Sequence, residues 1–188
     1  GPRMASNVKS GITDPTRRRL IVTVGIALAA ASGCSESEPP IDGKIERVTL
    51  AGRSFDLELA MSTESRMRGL GGRETLATDG GMFFVFPGAR PRRFWMYDCL
   101  IPIDIAFIDP LGYVTSVHTM PVEPPRGTEE SITDYEARLP GFTSGYPAQF
   151  AIELSPGMFE SLGITVGDQL SIPRDRLKTL GEATDPEF

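Results

Sequence analysis

Ile101-Pro102-Ile103-Asp104-Ile105-Ala106-Phe107-Ile108-Asp109-Pro110-Leu111-Gly112, answered by Tyr113 to Thr119, is the stretch that decides the fold class. Two apolar runs joined by Asp-Pro-Leu-Gly describe an antiparallel hairpin, because those turn residues reverse the chain and the runs are too short for core helices. Upstream, Asp79-Gly80-Gly81 is a turn signal before Met82-Phe83-Phe84-Val85-Phe86, a buried strand that Pro87-Gly88 is expected to end. Earlier still, Val48 and Leu50, then Phe55, Leu57 and Leu59, alternate at period two around Ala51-Gly52-Arg53, which reads as another hairpin.

Ser62-Thr63-Glu64 offers hydroxyl caps and an early acid for a short helix through Met67, stopped by the glycines at 69, 71 and 72. Met120 to Gly145 reads as an irregular surface excursion, with only a weak helical pattern from Glu129 to Leu139. Gln149 to Leu154 is a further strand. Ser155-Pro156 starts a second short helix closed by Gly163, and Gly167-Asp168 turns into a final strand, Gln169 to Ile172. Strands dominate and do not alternate with helices, which argues against a doubly wound sheet. The expected fold is mainly β within the α+β class: a small mixed β-sandwich or open barrel with two short helices.

The chain has 188 residues, 40% hydrophobic and 23% charged, enough for one well-buried core. Its longest apolar stretch, Leu20 to Ala31, falls short of the roughly 18 residues a membrane-spanning helix needs. Arg17-Arg18-Arg19, the apolar run from Leu20 and the small residues Ala30 to Gly33 have the grammar of an export signal over residues 1–33, with Gly1-Pro2-Arg3 as a tag remnant. General secretory and twin-arginine routes both fit this leader. Gly33-Cys34 resembles the lipobox of bacterial lipoproteins, although Ala31 stands where that family prefers leucine. The resemblance implies acylation of Cys34, a membrane as partner through that lipid, and a periplasmic or outer-surface location. An ordinary cleaved leader with a coincidental cysteine is the alternative. Residues 34–43 then form a polar tether, 44–180 a single β-rich domain and 181–188 a disordered tail.

Beyond residue 33 the chain carries 14 basic against 24 acidic side chains, a net charge of −10. Such a body repels phosphates, so nucleic acid is not an expected partner. Only Cys99 follows Cys34, which leaves no internal disulfide and no cysteine zinc cluster. No cofactor motif appears: Gly69-Leu70-Gly71-Gly72 lacks the lysine and hydroxyl of a phosphate loop. Asp98, Asp104, Asp109, His118 and Glu153 show no metal-loop spacing, and no metal is expected.

Gly69-Leu70, Arg73, Leu76, Gly80 to Phe86, Phe94-Trp95-Met96, Ile101 to Asp109, Gly112, Glu153-Leu154, Gly157 and Gly167-Asp168 together resemble the domain-of-unknown-function 192 family over about Val48 to Ile172. The resemblance implies a compact β-rich fold and, in many bacterial members, an export or lipoprotein leader. It implies no activity. Gly71 stands where the family commonly has methionine, and Tyr97-Asp98-Cys99 where it has a Lys-Asn-Thr-like tripeptide.

Trp95, Met96, Asp98, Cys99 and Asp104 lie within ten positions, an apolar wall with a few polar groups such as a ligand pocket requires. The same residues also read as core, with Asp104 bonded to backbone amides. Arg66, Arg73, Arg92 and Arg93 offer forks for an internal pair with Asp104 or for an anion site, with Arg73 and Arg93 the expected binding residues. For catalysis the sequence offers a Cys99–His118 dyad oriented by Glu123 or Asp104, or Asp104 with His118 or Glu153 as acid and base. The expectation is a non-enzymatic envelope module for binding or assembly, with a groove near Trp95 and Asp104 taking a small molecule, a glycan or a protein segment. An envelope hydrolase or lyase is the alternative.

Overall fold

The computed structural model describes residues 42–187. Its main element is a six-stranded sheet in the order β1-β2-β3-β8-β5-β6, comprising β1 (Ile45–Leu50), β2 (Arg53–Ala60), β3 (Gly80–Arg90), β5 (Ile103–Ile108), β6 (Val114–Met120) and β8 (Ala148–Leu154). β4 (Arg93–Phe94) and β7 (Phe142–Thr143) form a separate two-stranded ribbon. Both hairpins read from the sequence are present, β1 with β2 and β5 with β6, each antiparallel. β2 and β3 run parallel, joined through α1 (Thr63–Arg68), so the sheet is mixed and open.

Side-chain alternation sorts the sheet into two covered faces. One face presents Leu57, Phe83, Ala106, Phe150 and Ile152 to α3 (Met158–Leu162) and α4 (Arg174–Ala183), through Met158, Phe159, Leu177 and Leu180. The other presents Met82, Phe84, Ile105, Phe107 and Ala151 to Leu70, Phe94, Met96 and Phe142. Both faces are covered, so every residue of β5 is buried. The mainly β, α+β reading holds, with no closed barrel. The second layer of the expected sandwich is built from helices, the β4–β7 ribbon and loops rather than a second full sheet.

Several local expectations are corrected. Four helices form among the described residues, not two. The faint helical pattern in the excursion becomes α2 (Ile132–Arg138), capped by Ser131, whose hydroxyl accepts from Asp134 N. α4 was not expected because only Leu177 and Leu180 are anchored apolar positions in an otherwise polar run. It carries the folded chain past 180. Gly181 and Thr184 are buried, and Thr184 Oγ1 donates to Met61 O at 2.7 Å and lies 3.0 Å from Val85 O. Residues 181–187 are therefore part of the domain rather than a disordered tail.

Gln169 to Ile172 is no strand. Gln169 makes a single bridge to Tyr113, and Leu170 N donates to Gly112 O, before Pro173 starts α4. β3 continues through Pro87-Gly88 to Arg90, with an irregular register after Val85. α3 is preceded by Gly157 in the left-handed region instead of being capped by Ser155. The leader, Cys34 and most of the tether lie outside the described residues. No helix among the described residues is long and apolar enough to cross a membrane.

Candidate functional site

One register row crosses the sheet on the face that carries Phe84. It runs Glu58, Met82, Glu153, Ile105, His118 from β2 through β3, β8 and β5 to β6. Arg73 covers the first member, its Nη1 and Nη2 donating to Glu58 Oε1 and Oε2 at 2.8 Å each in a buried bidentate pair. Glu153 sits mid-row, 5% exposed, and its Oε2 has no hydrogen-bond partner. Burial pushes its carboxyl up to about 8, so it carries its proton at neutral pH. His118, at the edge, donates from Nε2 to Thr143 O at 2.8 Å and packs on Phe107 and Phe142.

The row is roofed by the segment that leaves α1 and by the turn after β4. Gly69, at φ 53°, lies over Glu153: a Cβ there would come within 3.3 Å of the Phe84 ring and 3.9 Å of Glu153 Oε2. Gly71 permits a close approach of two backbones, since a Cβ would meet Arg68 O at 3.0 Å and Tyr97 O at 3.2 Å. Gly72 N donates to Asp98 O across the same contact. Cys99 lies beneath this roof, its thiol 3.6 Å from Tyr97 O. Burial, with smaller contributions from Glu153 and Asp98, pushes that thiol up to about 12, which leaves it without nucleophilic character at neutral pH.

Outside the roof lies an open depression of about 700 Å³ lined by Met67, Arg68, Gly72, Tyr97 and Asp98 together with the first turn of α1. Tyr97 is the middle ring of a stack. Trp95 is 6.1 Å away on one side and Tyr135 of α2 is 5.1 Å away on the other. Arg93 and Arg138 close its ends, 5.8 Å over Trp95 and 4.8 Å over Tyr135. Tyr135 also fixes the turn, because its hydroxyl accepts from Asp98 N at 3.1 Å and so holds Asp98 at φ 51°. Trp95 remains 39% exposed while Met96, its neighbour, is buried.

These placements divide the residues singled out in the sequence. Trp95, Asp98 and Arg93 gather around the aromatic stack, together with Tyr135 from the 120–145 excursion. Asp104 does not join them. It projects to the α3–α4 face, opposite Ile103 and Ile105 as alternation requires, and accepts from Thr119 Oγ1 at 2.8 Å. That face is covered, and a threonine rather than an arginine satisfies the carboxylate. A single groove containing Trp95 and Asp104 is thus replaced by two sites on opposite sides of a sheet.

The four arginines are occupied elsewhere. Arg73 binds Glu58. Arg66 Nη1 donates to Met61 O, Val85 O and Thr184, and Arg92 pairs with Glu187 and donates to Gly88 O and Ala148 O. Arg93 Nη2 donates to Leu139 O. Asp104 and His118 face opposite sides, as do Asp104 and Glu153. His118 and Glu153 share a face but are separated by β5, a Cα spacing of about 10 Å for two strand steps. The acid–base pairs weighed in the sequence therefore do not assemble, and His118 is held by Thr143 rather than by Cys99. No cluster of three metal-ligating side chains occurs among the described residues.

Sequence reasoning overlooked Tyr97, Tyr135, Glu58 and Asp42. Tyr97 was legible, since alternation from Phe94 sends Phe94 and Met96 inward and Trp95 and Tyr97 outward. Tyr135 carried no such signal, because its partner lies 38 positions upstream. Asp42 takes four bonds, from Met61 N, Ser62 N, Ser62 Oγ and Ser65 Oγ, at 2.6–3.0 Å. Burial would raise its carboxyl, but the Ser62 and Ser65 hydroxyls and the two amides outweigh it and hold it at about 2.

An open mixed sheet with both faces covered, a buried polar row and an aromatic stack of which Trp95 is the exposed end define a small α+β domain. The chain belongs to the DUF192 family, described as Uncharacterized ACR, whose model matches residues 46–172. Two solved structures are similar to it. One is described as "a putative transcription regulator" from Sinorhizobium meliloti 1021, 31% identical, covering 68% of this chain and 90% of its own, at a TM-score of 0.52. The other is a protein of unknown function from Novosphingobium aromaticivorans DSM 12444, 26% identical, covering 71% and 89%, at 0.56. Curated proteins give no match.

Proposed function

We propose that this protein is a non-enzymatic binding or assembly module of the cell envelope, and that its ligand seats on the surface formed by Trp95, Tyr97 and the adjoining depression. The observation that carries the reading is the stack itself. The fold brings Trp95, Tyr97 and Tyr135 from two distant segments into one ladder, yet leaves Trp95 39% exposed to water. The separation of Asp104, His118 and Glu153 supports binding over the hydrolase or lyase alternative. The description of the Sinorhizobium protein is not carried over, because a net charge of −10 beyond residue 33 opposes contact with nucleic acid.

Envelope location rests on the leader and on Gly33-Cys34, with Cys34 as the acylated residue and a membrane as partner. Mass spectrometry of the protein from its native membrane should show a diacylglyceryl modification at Cys34; a Cys34→Ser form that stays membrane-bound defeats the anchor. For the binding surface, Trp95→Ala should abolish ligand binding at unchanged melting temperature. Retained binding, or a variant that unfolds, refutes the assignment.

A further inference from the structure

The depression beside the stack has a chemistry of its own. Met67 on the outward side of α1 is 81% exposed, and with Tyr97 it forms two apolar walls over the bare backbone of Gly71 and Gly72. Glu64, Arg68 and Asp98 are the charged groups around it. All three side chains are exposed. Two carboxylates against one guanidinium leave the lining net negative, which on an acidic body favours a cation over an anion.

Shape narrows the class further. The depression is open, whereas a small-molecule site encloses most of its ligand. Trp95 and Tyr97 are tilted by 38° and so offer no flat platform for consecutive sugar rings. A methionine wall instead adapts to varied aliphatic side chains, as surfaces that bind peptide segments do.

We propose that this depression takes a basic, apolar stretch of polypeptide, with a lysine or arginine head between Glu64 and Asp98 and a neighbouring aliphatic side chain against Met67 and Tyr97. It rests on the reading of the Trp95–Tyr97 surface as a binding face and adds the chemical class of the occupant. Asp98 is suited to such a role because the Tyr135 hydroxyl fixes its backbone, so its carboxylate is presented without further ordering.

Trp95 is the only tryptophan in the chain and reports on the depression through its neighbour Tyr97, 6.1 Å away. The full chain is titrated with three compounds while Trp95 emission is followed: a capped leucine-lysine octapeptide, its leucine-glutamate counterpart and cellotetraose. The lysine peptide should give a saturable change that weakens about tenfold in the Glu64→Gln/Asp98→Asn double variant and falls with added salt. Asparagine tolerates positive φ at least as well as aspartate, so that variant is expected to melt with the parent, and an unchanged melting temperature verifies it. Equal binding of the lysine and glutamate peptides, or lysine-peptide binding unaffected by the double variant, overturns the inference. Saturable binding of cellotetraose alone overturns it while leaving the binding face standing. If none of the three is bound, both readings fall.

Discussion

Replacing Glu153 by glutamine keeps the side chain's shape and removes its proton equilibrium. In the folded chain burial holds this carboxyl at about 8, against 4.5 for the free group. Between those values the unfolded chain has released a proton that the folded chain retains, so stability falls as pH rises, by about 1.4 kcal/mol per pH unit for one proton. The accumulated penalty is about 3 kcal/mol at pH 7 and levels off above pH 8. Glutamine adds a constant offset, because its amide also lies in a site with no partner for Oε2, but that offset does not vary with pH. Urea unfolding of parent and Glu153→Gln at half-unit steps from pH 4.5 to 8.5 reads the difference directly. The gap should swing in favour of the variant by about 3 kcal/mol between pH 4.5 and 7. Parallel curves over that range would falsify the picture of a protonated, unpaired Glu153.

Three further outcomes follow from the geometry. Asp42→Asn should cost about 1 kcal/mol at pH 7 after allowance for solvent screening; because Asp42 is held at about 2, the parent loses this increment as pH falls from 3.8 through 2, and acid unfolding curves of the two proteins should converge there. Arg73→Ala leaves Glu58 buried without its fork and should lower stability by about 3–5 kcal/mol in chemical denaturation, whereas a loss under 1 kcal/mol refutes a buried pair. Cys99, its thiol pushed up to about 12, should react with a disulfide reagent at pH 8 at least tenfold more slowly than the unfolded chain does; equal rates for the native and unfolded protein contradict the raised thiol.

How much of this was legible depends on the range of the interaction. The two hairpins, α1 and β8 were readable because period-two alternation and turn residues act within ten positions. α4 escaped because its helix is held by tertiary contacts of Leu177 and Leu180 rather than by local propensity. The site was half readable. Alternation alone puts Trp95 and Tyr97 on one side and Asp104 opposite Ile103 and Ile105. What alternation cannot show is which layer covers each face, so a groove shared by Trp95 and Asp104 is not excluded by the sequence alone. Arg73 with Glu58, Tyr97 with Tyr135 and Asp42 with α1 are contacts between separate elements, set by the packing of loops onto a finished sheet.

The strand order carries a consequence for the timing of folding. β8 is the sixth of the six strands to be made and yet the one that joins β3 to β5, so the two halves of the sheet have no strand pairing between them until β8 is present. Before that point a nascent chain holds two separate strand groups, each with one face lacking the helices that will cover it. Closure therefore comes late and all at once. Such a topology postpones the compact state until nearly the whole domain has been synthesised.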